Sequence, residues 1–151
     1  MSKVKKTHSP KPTAGFGFHI GPVVIGHSIV WNQVEPIDIA KLQLQVSWEL
    51  EGKRASGNIN VLLLIRYIID DVEKVALMTN NHFTIDSPII LEKEKEGGLP
   101  LDFLRTLVNI SIGTARGILI PVTANSFWRD YPLPIQNIAE IVPDGTQKFL
   151  S

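Results

Sequence analysis

From Leu42 to Leu50 apolar and polar side chains alternate without interruption. Leu42, Leu44, Val46, Trp48 and Leu50 take one set of positions, and Gln43, Gln45, Ser47 and Glu49 take the other. A period of two puts each set on its own face of an extended chain, so the pattern predicts a strand over residues 37–50 with one buried and one wet face. Before it, residues 23–34 are rich in β-branched side chains and stop short of Pro36, which predicts another strand. Residues 58–69 read differently: Ile59, Val61, Leu63, Ile65, Tyr67 and Ile69 form one apolar face, and Leu62, Leu64 and Ile68 make the opposite face apolar too. That is the pattern of a strand covered on both sides. Residues 74–86 keep Val75, Leu77, Phe83 and Ile85 on one face. The connections "EGKRASG" and "DDVE" are short and polar. Four such strands in succession predict an antiparallel meander.

The period changes after "EKEKEGG", residues 92–98, which reads as a charged loop. Leu101, Leu104, Val108, Ser111, Ile112 and Ala115 recur at spacings of three and four, and Phe103, Leu107 and Ile110 widen the stripe. This predicts one long helix. Pro100 suits its first turn, and Asp102 favours the positive end of the helix dipole. Gly117 reads as the cap that ends it. "ILIPV" then forms a short apolar segment stopped by Pro121, and "PLPIQNIAEIVP" at residues 132–143 is a last element of open type. The fold class implied is α+β, a four-stranded antiparallel sheet followed by a long packing helix. A single helix covers one face of a sheet. The second apolar side of residues 58–69 therefore calls for a partner subunit or a client.

Composition narrows the function classes. The chain has 151 residues, about one domain, with fifteen basic and fifteen acidic side chains. Balanced charge argues against a general nucleic-acid binder. The chain has no cysteine, so it has neither a disulfide framework nor a thiolate metal site, which fits a reducing compartment. Residues 1–22, with four Lys, three Pro and three Gly, read as a flexible arm before a single domain over 23–151. The arm has no apolar core of a secretory signal, and residues 61–65 are the longest apolar run, so the expected location is the cytoplasm without membrane insertion.

Candidate chemistry is sparse. "GTARG" at residues 113–117 carries two Gly and an Arg, but a phosphate loop needs G-x-x-x-x-G-K-[ST] at the start of a helix. Here the glycines fall at the end of the predicted helix, where the dipole is negative and Arg116 can complement exposed carbonyls. His8, His19, His27 and His82 include no pair spaced three or four apart, so no helical metal pair is predicted. Asp70–Asp71 and the Glu92–Glu96 series read as solvated, and no G-x-S-x-G elbow is present. "NIS" at Asn109 matches a glycosylation sequon but lies inside the helical stretch. No catalytic residue, metal or cofactor is expected. The aromatics carry more weight as contact area. Trp48 reads as core by its alternation. Trp128, in the connection "NSFWRDY", reads equally as a packing lid or a groove lining.

Four strands followed by a long helix ending in "ISIGTARGILIPVTANSF" resemble the SecB family of protein-export chaperones and its SecB-like relatives. Gly113, Thr114, Pro121, Val122, Asn125 and Phe127 fit the order of that family's helix end, and "EKVALMTNNHFTID" looks like its fourth strand. The resemblance covers roughly residues 23–135. It implies dimers or tetramers that hold non-native polypeptide, or antitoxin-like peptide, in apolar grooves, with no cofactor and no hydrolysis. SecB itself is acidic where this chain is neutral, so fold and client binding carry over further than partnership with an export motor.

Two readings follow. The first is an ATP-independent chaperone-like protein that binds unfolded or extended polypeptide, with Phe83, Ile85, Phe127, Trp128 and Tyr131 as groove residues. In this reading Leu62, Leu64, Leu104, Val108 and Ile112 form the interface of a homo-oligomer. The alternative is a structural or adaptor subunit whose apolar sheet surface is permanently buried in an assembly.

Overall fold

The computed structural model describes residues 17–31 and 37–151. Strand β1 spans Phe18–Val30, β2 Gln43–Lys53, β3 Asn58–Ile69 and β4 Val72–Ile85. Helix α1 is Pro88–Gly97, α2 is Leu101–Thr123, and α3 is a single turn, Ile138–Ile141. The architecture is α+β, an antiparallel sheet packed against the long helix α2. The first part of the expected arm, residues 1–16, lies outside the described residues, while Phe18–Pro22 belong to β1.

All strand pairs are antiparallel, but the order across the sheet is β1-β4-β3-β2. Only β2, β3 and β4 form a meander. β1 lies beside β4 at the far edge, so the expected four-strand meander gives way to a Greek-key order. The turns explain the meander. Asp70 and Asp71 alone connect β3 to β4, with φ of 49° and 60°. Two residues with positive φ make the hairpin turn whose twist matches that of the strands, and aspartate tolerates that region. Between β2 and β3, Gly57 takes φ 68°, and its N–H donates to the carbonyls of Lys53 and Arg54.

Period two holds across the sheet. Ile59, Val61, Leu63, Ile65 and Tyr67 of β3 are buried beneath α2, and their partners Leu44, Val46, Trp48 and Leu50 of β2 share that inner face. On β4 the inner positions are Val75, Leu77, Thr79, Asn81, Phe83 and Ile85. Thr79 and Asn81 are buried polar groups, joined by a hydrogen bond of 3.0 Å from Asn81 Nδ2, which also donates to the Val61 carbonyl.

Helix α2 is longer than the sequence predicts. It runs through Gly113 and Gly117 and ends beyond Pro121. The buried stripe explains why: Leu104, Val108, Ile112, Ala115, Leu119 and Thr123 continue at spacings of three and four past both glycines. Each large buried side chain on it contributes roughly 1.5–3 kcal/mol, more than the ~1 kcal/mol that a helical Gly costs against Ala. Pro121 sits in the last turn, and the carbonyl its ring crowds belongs to Gly117, which carries no side chain.

The charged loop expected over residues 92–98 is mostly helix. Pro88 opens α1, and Ile90 and Glu94, four apart, are its buried residues. Glu94 is thus not solvated with its neighbours. Its carboxylate accepts from Arg54 Nε at 2.6 Å, from Arg54 Nη2 at 3.1 Å and from the Leu150 N–H at 2.7 Å.

Candidate functional site

The inner face is filled by α2. The outer face of the sheet is built by the alternate positions of the same strands. Leu62 lies opposite Glu49 and Asn80, and Leu64 opposite Ser47 and Met78. Leu62, Leu64 and Met78 are half-buried and form an apolar strip at the middle of the sheet. Ser47, Glu49, Leu62, Leu64 and Met78 line a shallow concavity of about 290 Å³ there. The rim is polar. Arg66 Nε donates to Glu73 at 2.6 Å and Arg66 Nη1 to Gln45 Oε1 at 3.3 Å. At the other end Asn60, His82 and Thr84 line a broader hollow of about 800 Å³, with Glu51, Lys53 and Phe149 on its walls. His82 Nδ1 sits 2.6 Å from Asn60 Oδ1.

β1 extends this surface to the sheet edge. Its apolar side chains Ile20, Val24 and Ile25 are 62%, 51% and 50% exposed. Val24 pairs with Asn80 on the outer side, whereas Ile20 and Ile25 pair with Phe83 and Thr79 on the helix side, beyond the reach of α2. Register shifts at Ile20/Val23 and Ile25/His27, together with Pro22, twist the strand and interrupt its ladder. β2, at the opposite edge, is regular over its whole pairing with β3.

The residues singled out from the sequence divide between core and surface. Phe83 and Ile85 are 2% and 4% exposed, and Trp128 is fully buried. These three belong to the chain's own core, because β4 turns its odd positions under α2 and the Trp128 ring fills the space beneath the helix end. Trp128 packs edge-on to Tyr67 and Phe127, with centroids 5.7 and 5.2 Å apart, and its Nε1 donates to the Trp31 carbonyl at 3.1 Å. Of the two openings left for Trp128, the packing role holds. Phe127 and Tyr131, stacked at 5.1 Å, remain partly exposed. Leu104, Val108 and Ile112 are likewise spent inside the chain, at 0%, 0% and 2% exposure, because they form the inward stripe of α2. Leu62 and Leu64 alone of that group face outward.

Sequence reading overlooked β1 as a surface. Its signal was the pair of apolar positions at Val24 and Ile25 beside Gly26, where neither face alternates cleanly. It also overlooked Arg116 as a tether. Rather than capping a helix end, Arg116 lies mid-helix and donates to the carbonyls of Leu133 and Pro134, both at 3.0 Å.

Among the described residues the acid–base candidates do not converge. His82 faces an amide, and His19 lies 2.8 Å from Asp86 on an open surface. Among the described residues no group of three His, Asp or Glu side chains is placed to hold a metal ion. The displaced ionisations serve the fold. Burial pushes the Tyr67 phenol up to about 12, and the hydrogen bond from Arg54 holds the Glu94 carboxyl below its ordinary range.

No protein-family model matches the chain, and no curated protein matches it. Among solved structures it is similar to a SecB-like chaperone of Mycobacterium tuberculosis in complex with a ChAD peptide from an antitoxin. The TM-score is 0.49 at 12% identity, over 80% of this chain and 89% of that one.

Proposed function

We propose that this protein holds extended, non-native polypeptide on its uncovered sheet surface, without nucleotide or cofactor. The observation that carries the reading is the half-exposed strip of Leu62, Leu64 and Met78 on the sheet face opposite α2, continued at the edge by Val24 of β1, with Ile20 and Ile25 exposed on the other side of the same edge strand. Apolar area left in water on both a face and an edge favours a further layer. The shape selects the kind of ligand. The strip is shallow and runs with the strands, whereas small-molecule sites are deep and enclose most of their ligand. An extended chain laid along it covers the leucines with alternate side chains, and the unpaired main chain of an edge strand offers hydrogen bonds that any sequence accepts. The polar rim of Gln45, Ser47, Glu49 and Arg66 keeps the strip soluble while it is empty. The client is a segment rich in aliphatic and aromatic residues, of the kind an unfolded protein or a peptide such as an antitoxin tail presents.

A homo-oligomer is the companion proposal, since the same strip self-associates when no client is present. The experiment is suppression of aggregation of a chemically unfolded client, with no nucleotide added, over a series of molar ratios. Protection at stoichiometric amounts supports the reading. Absence of protection, together with no binding of an unfolded peptide, overturns it. It then favours the adaptor reading, in which a second copy covers the strip permanently and solution mass stays fixed on dilution.

A further inference from the structure

Residues 132–151 are held in an unusual way. Apart from α3 they form no helix or strand, yet they bond in turn to α2, β2 and α1. Main-chain bonds from Leu99 to Lys148 and between Ser151 and both Gly52 and Arg54 hold their last residues, and over the rest a row of side chains from the body bonds to their main chain. Arg116 takes the carbonyls of Leu133 and Pro134, Trp48 Nε1 takes that of Ile141 at 2.9 Å, and Arg105 Nε takes that of Val142 at 3.0 Å. Arg54 and Glu94 then clasp Leu150 by its carbonyl and its N–H. Of the segment's own side chains Leu133, Val142 and Leu150 are under 5% exposed, and Ile138 and Ile141 of α3 pack half-buried against the same core. Between these anchors Ile135 is 91% exposed.

We propose that this is a second polypeptide-binding groove, occupied in the free protein by the chain's own residues 132–151 and open to an extended client once they leave. The proposal rests on the polypeptide-binding reading above and adds a site separate from the open sheet face. The carrying observation is that recognition falls on the main chain. Backbone carbonyls and N–H groups are common to every sequence, so donors aimed at the first and an acceptor aimed at the second hold an extended segment whatever its side chains. Widely spaced apolar pockets then set a loose preference. The side chains that hold it stand on the regular elements and one turn of the body: the donors Arg105 and Arg116 on α2, Trp48 on β2 and Arg54 in the β2–β3 turn, and the acceptor Glu94 on α1. The ligand it takes is an extended polypeptide with isolated aliphatic residues. The occupying segment lowers the apparent affinity by the fraction of time it is docked.

The test uses the full chain and a labelled synthetic peptide with the sequence of residues 132–151. The double substitution Leu133→Ser with Val142→Ser weakens the anchors and leaves every donor in place. The variant is expected to bind the peptide roughly ten-fold tighter than the wild type, as the competent fraction rises. Adding Arg105→Met and Arg116→Met is expected to cancel the gain. Hydrogen exchange is read alongside, with protection lost over residues 133–150 and retained on β3 and β4. Should the double variant unfold as a whole, Leu133→Ala alone is used for the same comparison. Sheet protection with no gain in peptide affinity overturns the proposal. So does a segment that exchanges only with global unfolding. Client protection by the wild type with no peptide binding in any variant removes the groove and leaves the proposed function. Peptide binding without client protection does the reverse.

Discussion

Arg54 and Glu94 form a two-point ion pair, 2.6 Å at Nε and 3.1 Å at Nη2, in which the carboxylate is fully buried and the guanidinium partly exposed. The pair joins the β2–β3 turn to α1, and through the Leu150 N–H it also joins the chain's last residues. The hydrogen bond from Arg54 lowers the Glu94 pKa, so the folded protein releases that proton more readily than the unfolded chain does. The stability so gained is fully present above the ordinary glutamate value of 4.5 and is lost as pH falls through the lower folded value. Glu94→Gln is expected to lower stability near neutral pH and to flatten the acid limb, with the two proteins converging at low pH. Urea unfolding at a series of pH values reads this directly. Parallel curves for the two proteins would remove the linkage.

Tyr67 gives the opposite limb. Its hydroxyl donates to the Tyr131 carbonyl at 3.1 Å, and burial raises its pKa from 10.0 to about 12. The folded state keeps the proton longer, so its stabilising share is whole below 10.0 and is lost as pH rises toward 12. Tyr67→Phe is expected to cost about 1 kcal/mol at neutral pH, the usual net worth of one hydrogen bond. It is also expected to hold its remaining stability better than the wild type above pH 10. Thermal unfolding at neutral and alkaline pH measures both.

These two residues also mark what was legible in the sequence. Trp48 was placed in the core by alternation alone, and Ile65, Tyr67 and Leu77 were grouped on apolar faces, because a period of two reports which side chains share a face but not which of two apolar faces meets the helix. Glu94 was not placed in the core, because it sits in a run of alternating charge whose local pattern resembles a solvated loop, and the partner that makes burial tolerable is forty positions away. Strand order was hidden for a similar reason. Nothing in residues 18–30 states that they pair with β4 instead of β2, and pairing at the edge leaves their apolar positions exposed without a periodic signature. The candidate groove residues Phe83, Ile85 and Trp128 were chosen for size, which marks core and contact surface alike. Leu62 and Leu64 were chosen for lying opposite a complete apolar face, and that geometric argument put them outward.

Gly113 offers a test of the helix that ran past its expected end. It is helical and exposed, and a Cβ added there meets no atom within 4 Å. Gly113→Ala is expected to stabilise the folded chain by about 0.5–1 kcal/mol through reduced backbone freedom, raising Tm by roughly 2–4 °C for each kcal/mol. Calorimetry measures the shift. A fall in Tm, or a change in solution mass, would instead show that another helix backbone approaches α2 at this point.

The outer strip separates the two readings of function. Leu62 and Leu64 are half-buried and contact no described element above the sheet, so Leu62→Gln with Leu64→Gln is expected to change stability by no more than about 1–2 kcal/mol. The inward pair Leu63→Gln with Ile65→Gln buries two amides beneath α2 and is expected to prevent folding. If the strip holds clients, the outward variant stays folded and loses most of the aggregation suppression that the wild type shows. If a second copy covers the strip, the same variant drops to monomer mass, and the wild type gives no protection to begin with. Light scattering with an unfolded client, read beside solution mass at matched concentrations, distinguishes the outcomes. The two leucines change nothing else in the chain's own packing, so whichever property they remove is the one this face provides.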